Sequence, residues 1–296
     1  MKLTYLLLAA ASTLSAQKIT SQIHISSADG KQDKVIYSVA KRFEAPNWSP
    51  DGKYLLLNSG GKLWKLPVEG GEPAALDSGP IDKINNDHGI SPDGKWIAIS
   101  AGEIYVLPAE GGTPKQMTNA KPSYFHGWSP EGKTFAFCAQ RAGNFDIYTV
   151  PASGGDEVRL TTSPGYDDGP DYSPDGKWIY FNSDRSGSWD IWRMPATGAG
   201  PNDEKAERVT SDDYEDWFAH PSPDGKWLVM ISFEKGTKGH PANQNVLLRR
   251  MRMPGAHVQP AKLEVIKKLF GGQGTMNVNS WSPDSKRFAY VSYSLD

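Results

Sequence analysis

The chain contains one five-residue phrase six times: Ser-Pro, an acidic residue, Gly or Ser, and Lys. The six copies begin at Ser49, Ser91, Ser129, Ser173, Ser222 and Ser282. An alternating apolar stretch, such as residues 96–99, follows each copy. Most of the intervals between copies match the roughly 40–50 residues of one four-stranded blade of a β-propeller, and the last interval is longer. The sequence therefore predicts an all-β propeller.

The phrase itself has the chemistry of a tight turn. Its Pro sets φ at the second turn position, its Asp side chain caps the turn, and its Gly supplies a positive φ. A second hairpin signal follows in the first three repeats, where Gly-Gly occurs at 70–71, 111–112 and 154–155 between strand-like segments. Each repeat thus predicts four antiparallel strands.

The two ends of the chain together supply one blade. The sixth phrase begins at Ser282, so close to the final residue, Asp296, that only two strands can follow. Residues 22–31 and 34–38 resemble the third and fourth strands of the other repeats. We therefore predict six blades of four antiparallel strands, the last built from both termini, with five or seven blades as the alternatives. Closure removes the exposed edges of an open sheet.

The first sixteen residues have a different character. Met1-Lys2 precedes an apolar run at 3–11 and small residues at 12–16, which is the pattern of a secretory signal peptide. The run is shorter than the ~20 residues that span a bilayer. We expect cleavage after Ala16, export to the periplasm or the medium without a membrane span, and a single propeller domain over residues 17–296.

Composition excludes some classes of function. A net charge of −2 argues against nucleic acid, whose phosphates require clustered Lys and Arg. The lone cysteine, Cys138, lies within an apolar strand pattern, which favours a buried structural thiol. We expect a monomer without disulfide bonds.

The candidate site residues precede the repeated phrases, where the innermost strands should line the channel. They are polar and rich in His and Asp: Asn86, Asp87, His88, His126, Asp167, Asp168, Asp171 and His220. A long loop at 234–243 and a Gly-rich segment at 271–275 should reach the same mouth with His240 and Gln273. We predict a ligand site there.

Two interpretations of these polar residues remain open. They can satisfy backbone groups and bridge the blades through water. Alternatively, they hold a ligand or a divalent cation, Ca²⁺, Mn²⁺ or Zn²⁺, with His88, His126 and His220 as metal ligands. Three tryptophans at the blade rims are likewise either sugar platforms or inter-blade packing: Trp64, Trp189 and Trp217.

The repeats resemble a known family. The motif [WYI]-S-P-[DE]-G-K with a following strand, then D-I-[YW]-x-[VM]-P-A-x-G and R-[LV]-T, is similar to the propeller repeats of TolB, with examples at residues 144–148 and 188–192. The resemblance covers essentially residues 17–296. It implies an envelope protein that docks a peptidoglycan-associated lipoprotein on its propeller mouth. Related blades also occur in prolyl oligopeptidase-type peptidases and in oligogalacturonate lyases.

The sequence favours a binding module over an enzyme. We expect the channel mouth to recognise an envelope protein or an oligosaccharide. The alternative is a metal-assisted lyase or hydrolase of acidic sugars, with Gln273 joining the three histidines as metal ligands and Arg193 or His240 handling charge. Serine-peptidase chemistry lacks support because no Gly-x-Ser-x-Gly elbow occurs and the repeated Ser is a turn residue.

Overall fold

The computed structural model describes residues 18–258 and 262–295. The predicted signal peptide therefore lies outside the described residues. Six antiparallel sheets form the blades, with strands β1 to β23 numbered along the chain. From the channel outward, the five blades made of consecutive strands are β3 (Glu44–Trp48), β4 (Tyr54–Ser59), β5 (Lys62–Pro67), β6 (Ala74–Leu76); β7 (His88–Ile90), β8 (Trp96–Ala101), β9 (Glu103–Pro108), β10 (Lys115–Gln116); β11 (Ser123–Trp128), β12 (Thr134–Gln140), β13 (Phe145–Pro151), β14 (Val158–Arg159); β15 (Asp167–Tyr172), β16 (Trp178–Ser183), β17 (Asp190–Pro195), β18 (Glu207–Arg208); and β19 (Tyr214–Pro221), β20 (Trp227–Glu234), β21 (Ala242–Arg252), β22 (Glu264–Gly272).

The sixth blade is built from both ends of the chain. Strand β1 (Ile19–Ser27) lies between β23 (Arg287–Leu295) and β2 (Asp33–Val39), and a bridge from Trp281 to Phe288 occupies the innermost position. The rings of His24 and Tyr290 stack with centroids 4.4 Å apart across the β1–β23 junction. The prediction of six blades with a last blade shared by the termini is confirmed.

Each repeated phrase forms the turn from the first to the second strand of a blade. In the fourth blade, Trp178 N donates to Ser173 Oγ at 3.0 Å, and that hydroxyl donates to Asp175 Oδ1 at 2.6 Å. Gly176 donates its N–H to the Ser173 carbonyl at 2.9 Å and has φ of 70°. The phrase therefore recurs because one network of side-chain and backbone bonds reverses the chain in every blade.

The second repeated motif fastens the outer strand. Asp146 and Asp190 begin the D-I-[YW] stretch, and each is paired with the Arg of the following R-[LV]-T stretch, Arg159 or Arg208, at 2.7 Å. The two carboxylates are fully buried, so each arginine supplies the countercharge that the buried group requires. The motif is thus structural.

Apolar side chains fill the space between neighbouring blades. For example, Leu56 and Leu63 of the first blade pack against Ile97 and Ile99 of the second, and all four are fully buried. Equivalent clusters lie at the other junctions. Cys138 is buried, as expected, and burial raises the pKa of its thiol. Packing between the blades holds the ring together.

Helical structure in the described part of the chain is limited to a 3-10 turn at Gln273–Thr275. Accordingly, no helix of the described residues is long and apolar enough to cross a membrane.

Candidate functional site

The innermost strands give the channel two distinct ends. Strands β3, β7, β11, β15 and β19 all run in the same direction, from the end where they begin to the end where the repeated turns lie. One opening lies at each end. We call the opening at the repeated turns the proline funnel and the opening at the strand starts the histidine cavity, and the residues of each are given below.

Irregular pairing in the inner strands directs nearby side chains to different ends. The register shifts between Asp168 and Asp171 in β15, and equivalent shifts occur in β3, β11 and β19. Gly169 lies within the shift with φ of 60°, and a Cβ there would lie 2.5 Å from Asn182 Oδ1 and 2.9 Å from the Phe218 ring. Asp168 consequently lines the histidine cavity, whereas Asp171 lines the proline funnel.

The proline funnel has a volume of about 440 Å³. Its lining includes the proline of every repeated phrase: Pro50, Pro92, Pro130, Pro174, Pro223 and Pro283. Aromatic residues immediately before four of those phrases complete the wall: Trp48, Trp128, Tyr172 and Trp281. Sequence reasoning missed this opening, although the constant spacing of Pro after each aromatic residue within the repeats was a usable signal.

Hydrogen bonds between blades order the polar floor of the funnel. Asp171 Oδ2 accepts a bond from Asn279 Nδ2 at 2.9 Å and contacts His220 Nδ1 at 2.9 Å. Asn47 Nδ2 donates to the Asn279 carbonyl at 2.7 Å, and Asn47 Oδ1 accepts the N–H of Ile90 at 2.8 Å. The floor is therefore held in one arrangement before any ligand arrives.

The histidine cavity is smaller, about 190 Å³. Polar side chains and three aromatic rings line it: Asn85, Asp87, His126, Asp168, His240, Gln273, Tyr124, Phe145 and Tyr166. Since His126 lines the cavity and the funnel alike, its ring lies between the two openings.

Asp168 is the centre of the charged groups in the histidine cavity. Its Oδ1 lies 3.1 Å from His126 Nε2, and its Oδ2 lies 3.5 Å from His240 Nε2. Burial opposes charge on both groups, but the hydrogen bond and charge of His126 hold the pKa of Asp168 well below its ordinary value. In the same way, burial would lower the pKa of His126, yet Asp168 raises it. The two side chains form a buried ion pair.

Asp87 has a different environment. The amides of Asn85 and Asn277 donate to its two carboxylate oxygens. Burial raises the pKa of Asp87, and the charge of His126 only partly offsets that effect. Asp87 is consequently a buried carboxyl group whose hydrogen-bond donors are neutral.

The predicted site residues separate into three groups. Asp87, His126, Asp168, His240 and Gln273 line the histidine cavity, and Asp171 joins His126 in the funnel. The remaining four line neither opening: Asn86, His88, Asp167 and His220.

The four residues outside the openings have structural partners. His88 Nε2 lies 3.4 Å from the Leu56 carbonyl, and burial lowers the pKa of His88 to about 4. Arg185 donates to both oxygens of Asp167, although burial still raises the pKa of Asp167 to about 6. His220 contacts the funnel floor through Asp171, and Asn86 accepts a bond from Asn277 through its carbonyl.

The three histidines predicted as metal ligands do not converge. His88, His126 and His220 contact a backbone carbonyl, Asp168 and Asp171, respectively. Over residues 18–258 and 262–295, no group of three or more His, Cys, Asp or Glu side chains could hold a metal ion. Arg193 is fully buried and donates to the carbonyls of Gly255 and Ala256. The arrangement therefore provides no ligand set for the metal-assisted sugar enzyme.

The rim tryptophans take part in packing. The rings of Trp189 and Trp217 lie 4.0 Å apart, and Trp217 is fully buried. Trp64 donates its Nε1–H to the Ser59 carbonyl at 3.2 Å. Aromatic lining of the openings comes instead from other residues, among them Trp128 and Tyr166.

Comparison with known proteins relates the chain to propellers of one kind. Residues 90–254 match the model of the TolB beta propeller domain. The chain is also similar to a protein of Agrobacterium fabrum described as uncharacterized, with 47% identity over 280 residues and 92% of each chain covered.

Solved structures show the same relationship. A TolB candidate from Agrobacterium tumefaciens superposes with a TM-score of 0.87 at 47% identity, over 95% of this chain and 99% of that one. TolB from Acinetobacter baumannii superposes with a TM-score of 0.63 at 23% identity, over 79% of this chain and 61% of that one, which shows a shared fold.

Proposed function

Because the chain belongs to the TolB β-propeller family, we propose that it is a binding module whose proline funnel recognises a segment of an envelope protein. The observation that carries this proposal is the funnel itself, whose prolines and aromatic rings surround an ordered polar floor.

The composition of the funnel supports a protein ligand. Cores of protein interfaces are rich in aromatic side chains and poor in charged ones. Among the described residues that line the funnel, Asp171 is the single carboxylate, and neither Lys nor Arg occurs. An inserted apolar side chain or turn would meet Trp128 and Trp281 on the wall.

The rigidity of the funnel supports the same conclusion. The proline ring locks φ, so the rim has little backbone freedom left to lose on binding. The floor is already fixed by the bonds of Asp171, Asn47 and Asn279. Preorganised surfaces bind more tightly because they avoid the entropic cost of ordering.

The test compares two glutamate substitutions. Pro92 is an exposed residue of the funnel rim, whereas Val158 is 54% exposed on β14, outside the funnel. In quantitative capture from envelope extract, we expect the wild-type chain and V158E to retain the same protein and P92E to retain at least tenfold less. Unchanged capture by P92E would refute a role for the funnel, as would capture of a glycan in place of a protein.

We also propose that the protein is exported, which the residues at 1–16 support through their apolar run and small-residue end. Sequencing the N-terminus of protein isolated from the envelope fraction tests this. The expected first residue is Gln17. An intact Met1 would contradict export by this route.

A further inference from the structure

We propose that the histidine cavity binds a small organic cation, an ammonium compound, at the end of the channel opposite the proline funnel. This inference does not depend on the function proposed for the funnel. It follows from the size of the cavity, its charges and its aromatic wall.

The volume of the cavity limits the size of its ligand. A volume of about 190 Å³ equals that of about six water molecules at ~30 Å³ each. Pockets for drug-sized ligands are usually larger, roughly 300–1,000 Å³. The cavity is therefore suited to a small molecule and not to a polymer segment.

The charged groups of the cavity favour a cation. Asp87 and Asp168 are 3% and 5% exposed, and no Lys or Arg occurs among the described residues that line the cavity. Asp168 is already paired with His126, whereas Asp87 receives its hydrogen bonds from the amides of Asn85 and Asn277. A buried carboxylate is stable when a countercharge accompanies it. An ammonium group beside Asp87 would provide that countercharge.

The aromatic wall favours an organic cation over a bare ion. Phe145 lies between two tyrosines, with ring centroids 4.6 Å from Tyr166 and 6.3 Å from Tyr124. Cations are attracted to the faces of such rings at distances within about 6 Å, and aromatic cages bind quaternary ammonium groups in this way. The absence of a three-ligand metal group in the described residues agrees with a ligand held by rings and carboxylates.

An additional polar group lines the cavity without a partner. His126 is 4% exposed, and its Nδ1 makes no hydrogen bond to any described residue. Buried polar groups are nearly always hydrogen-bonded in folded proteins. A hydroxyl or other polar group on the ligand would satisfy this nitrogen, so a hydroxylated ammonium compound suits the site best.

The experiment uses a charged probe and its uncharged isostere. Titration calorimetry of the full chain at pH 7 would compare choline with 3,3-dimethylbutan-1-ol, which has the same shape without the charge. We expect choline to bind at least tenfold more tightly. Equal binding of the two probes, or no binding of choline, would overturn the proposal.

Variants locate the binding site. Asp87→Asn removes the charge, and we expect it to weaken choline binding at least tenfold. Phe145→Leu keeps the apolar character but removes a ring, and we expect a severalfold loss. V158E serves as the control and should bind choline like the wild type. Unchanged choline affinity in both cavity variants, with unfolding midpoints near that of the wild type, would refute the assignment.

Discussion

The ion pair between Asp168 and His126 yields a quantitative prediction. Asp168→Asn preserves the shape of the side chain but removes the charge that holds His126 protonated. Both side chains are nearly inaccessible, at 3% and 7% exposure, so solvent screens the pair weakly. Breaking a buried pair by removing one partner typically costs about 3–5 kcal/mol. Because Asn still accepts a hydrogen bond from His126, we expect a smaller loss of about 2–3 kcal/mol.

The loss should depend on pH in a defined way. The folded pKa of His126 lies above its ordinary 6.5, so the stability it contributes is full below pH 6.5 and is lost as pH rises through the folded value. The folded pKa of Asp168 lies below its ordinary 3.8, so its contribution is present above pH 3.8 and is lost as pH falls through the folded value. The difference between wild type and variant should be largest between pH 3.8 and 6.5.

Urea unfolding at a series of pH values measures this difference. With a slope of about 3 kcal/mol per molar urea, a loss of about 3 kcal/mol shifts the midpoint by about 1 M. Asp156→Asn makes the same chemical change at an exposed position and should shift the midpoint little. The buried ion pair would be refuted if Asp168→Asn cost less than about 0.5 kcal/mol at pH 5, the usual range of a surface substitution. A loss that does not decrease toward pH 9 would refute it as well.

Two further predictions concern the structural motifs. Ser173→Ala should reduce the free energy of unfolding by about 1–2 kcal/mol, because its hydroxyl bonds both Trp178 N and an aspartate, whereas Ser129→Ala should cost less, since Ser129 accepts a single backbone bond; paired denaturant curves would decide, and equal losses would contradict the ranking. Tyr290→Phe removes the hydroxyl that donates to Asp33 across the closing blade at 2.9 Å, and should lower the unfolding free energy by about 1–2 kcal/mol in the same assay, with no loss counting against that bond's role in closure.

The fold was predictable because its determinants are local and repeated. The Ser, Pro, Asp and Gly of each phrase act within a few residues of one another, so the sequence alone displays the turn and its period. The closing blade was predictable by counting strands, since the segments before Val39 and after Trp281 were each half a blade. Such reasoning needs no knowledge of how the blades contact one another.

The site was only partly predictable because it depends on contacts between blades. The sequence indicated Asp87, His126 and Asp168 through their position before a repeated turn. It could not distinguish His126 from His88, which has the same offset, because a register shift in β11 and the neighbouring carboxylate decide which ring reaches the channel. The aromatic wall was missed because Phe145 and its neighbours come from outside the positions that were compared.

The measurement that most directly tests the account is site-specific photo-crosslinking in intact cells. A photo-reactive amino acid would replace Pro92 on the funnel rim or Val158 on the outer strand β14. The account predicts a discrete crosslinked protein with the probe at position 92 and none at position 158. The same crosslinks at both positions, or crosslinks at position 158 alone, would contradict recognition through the proline funnel.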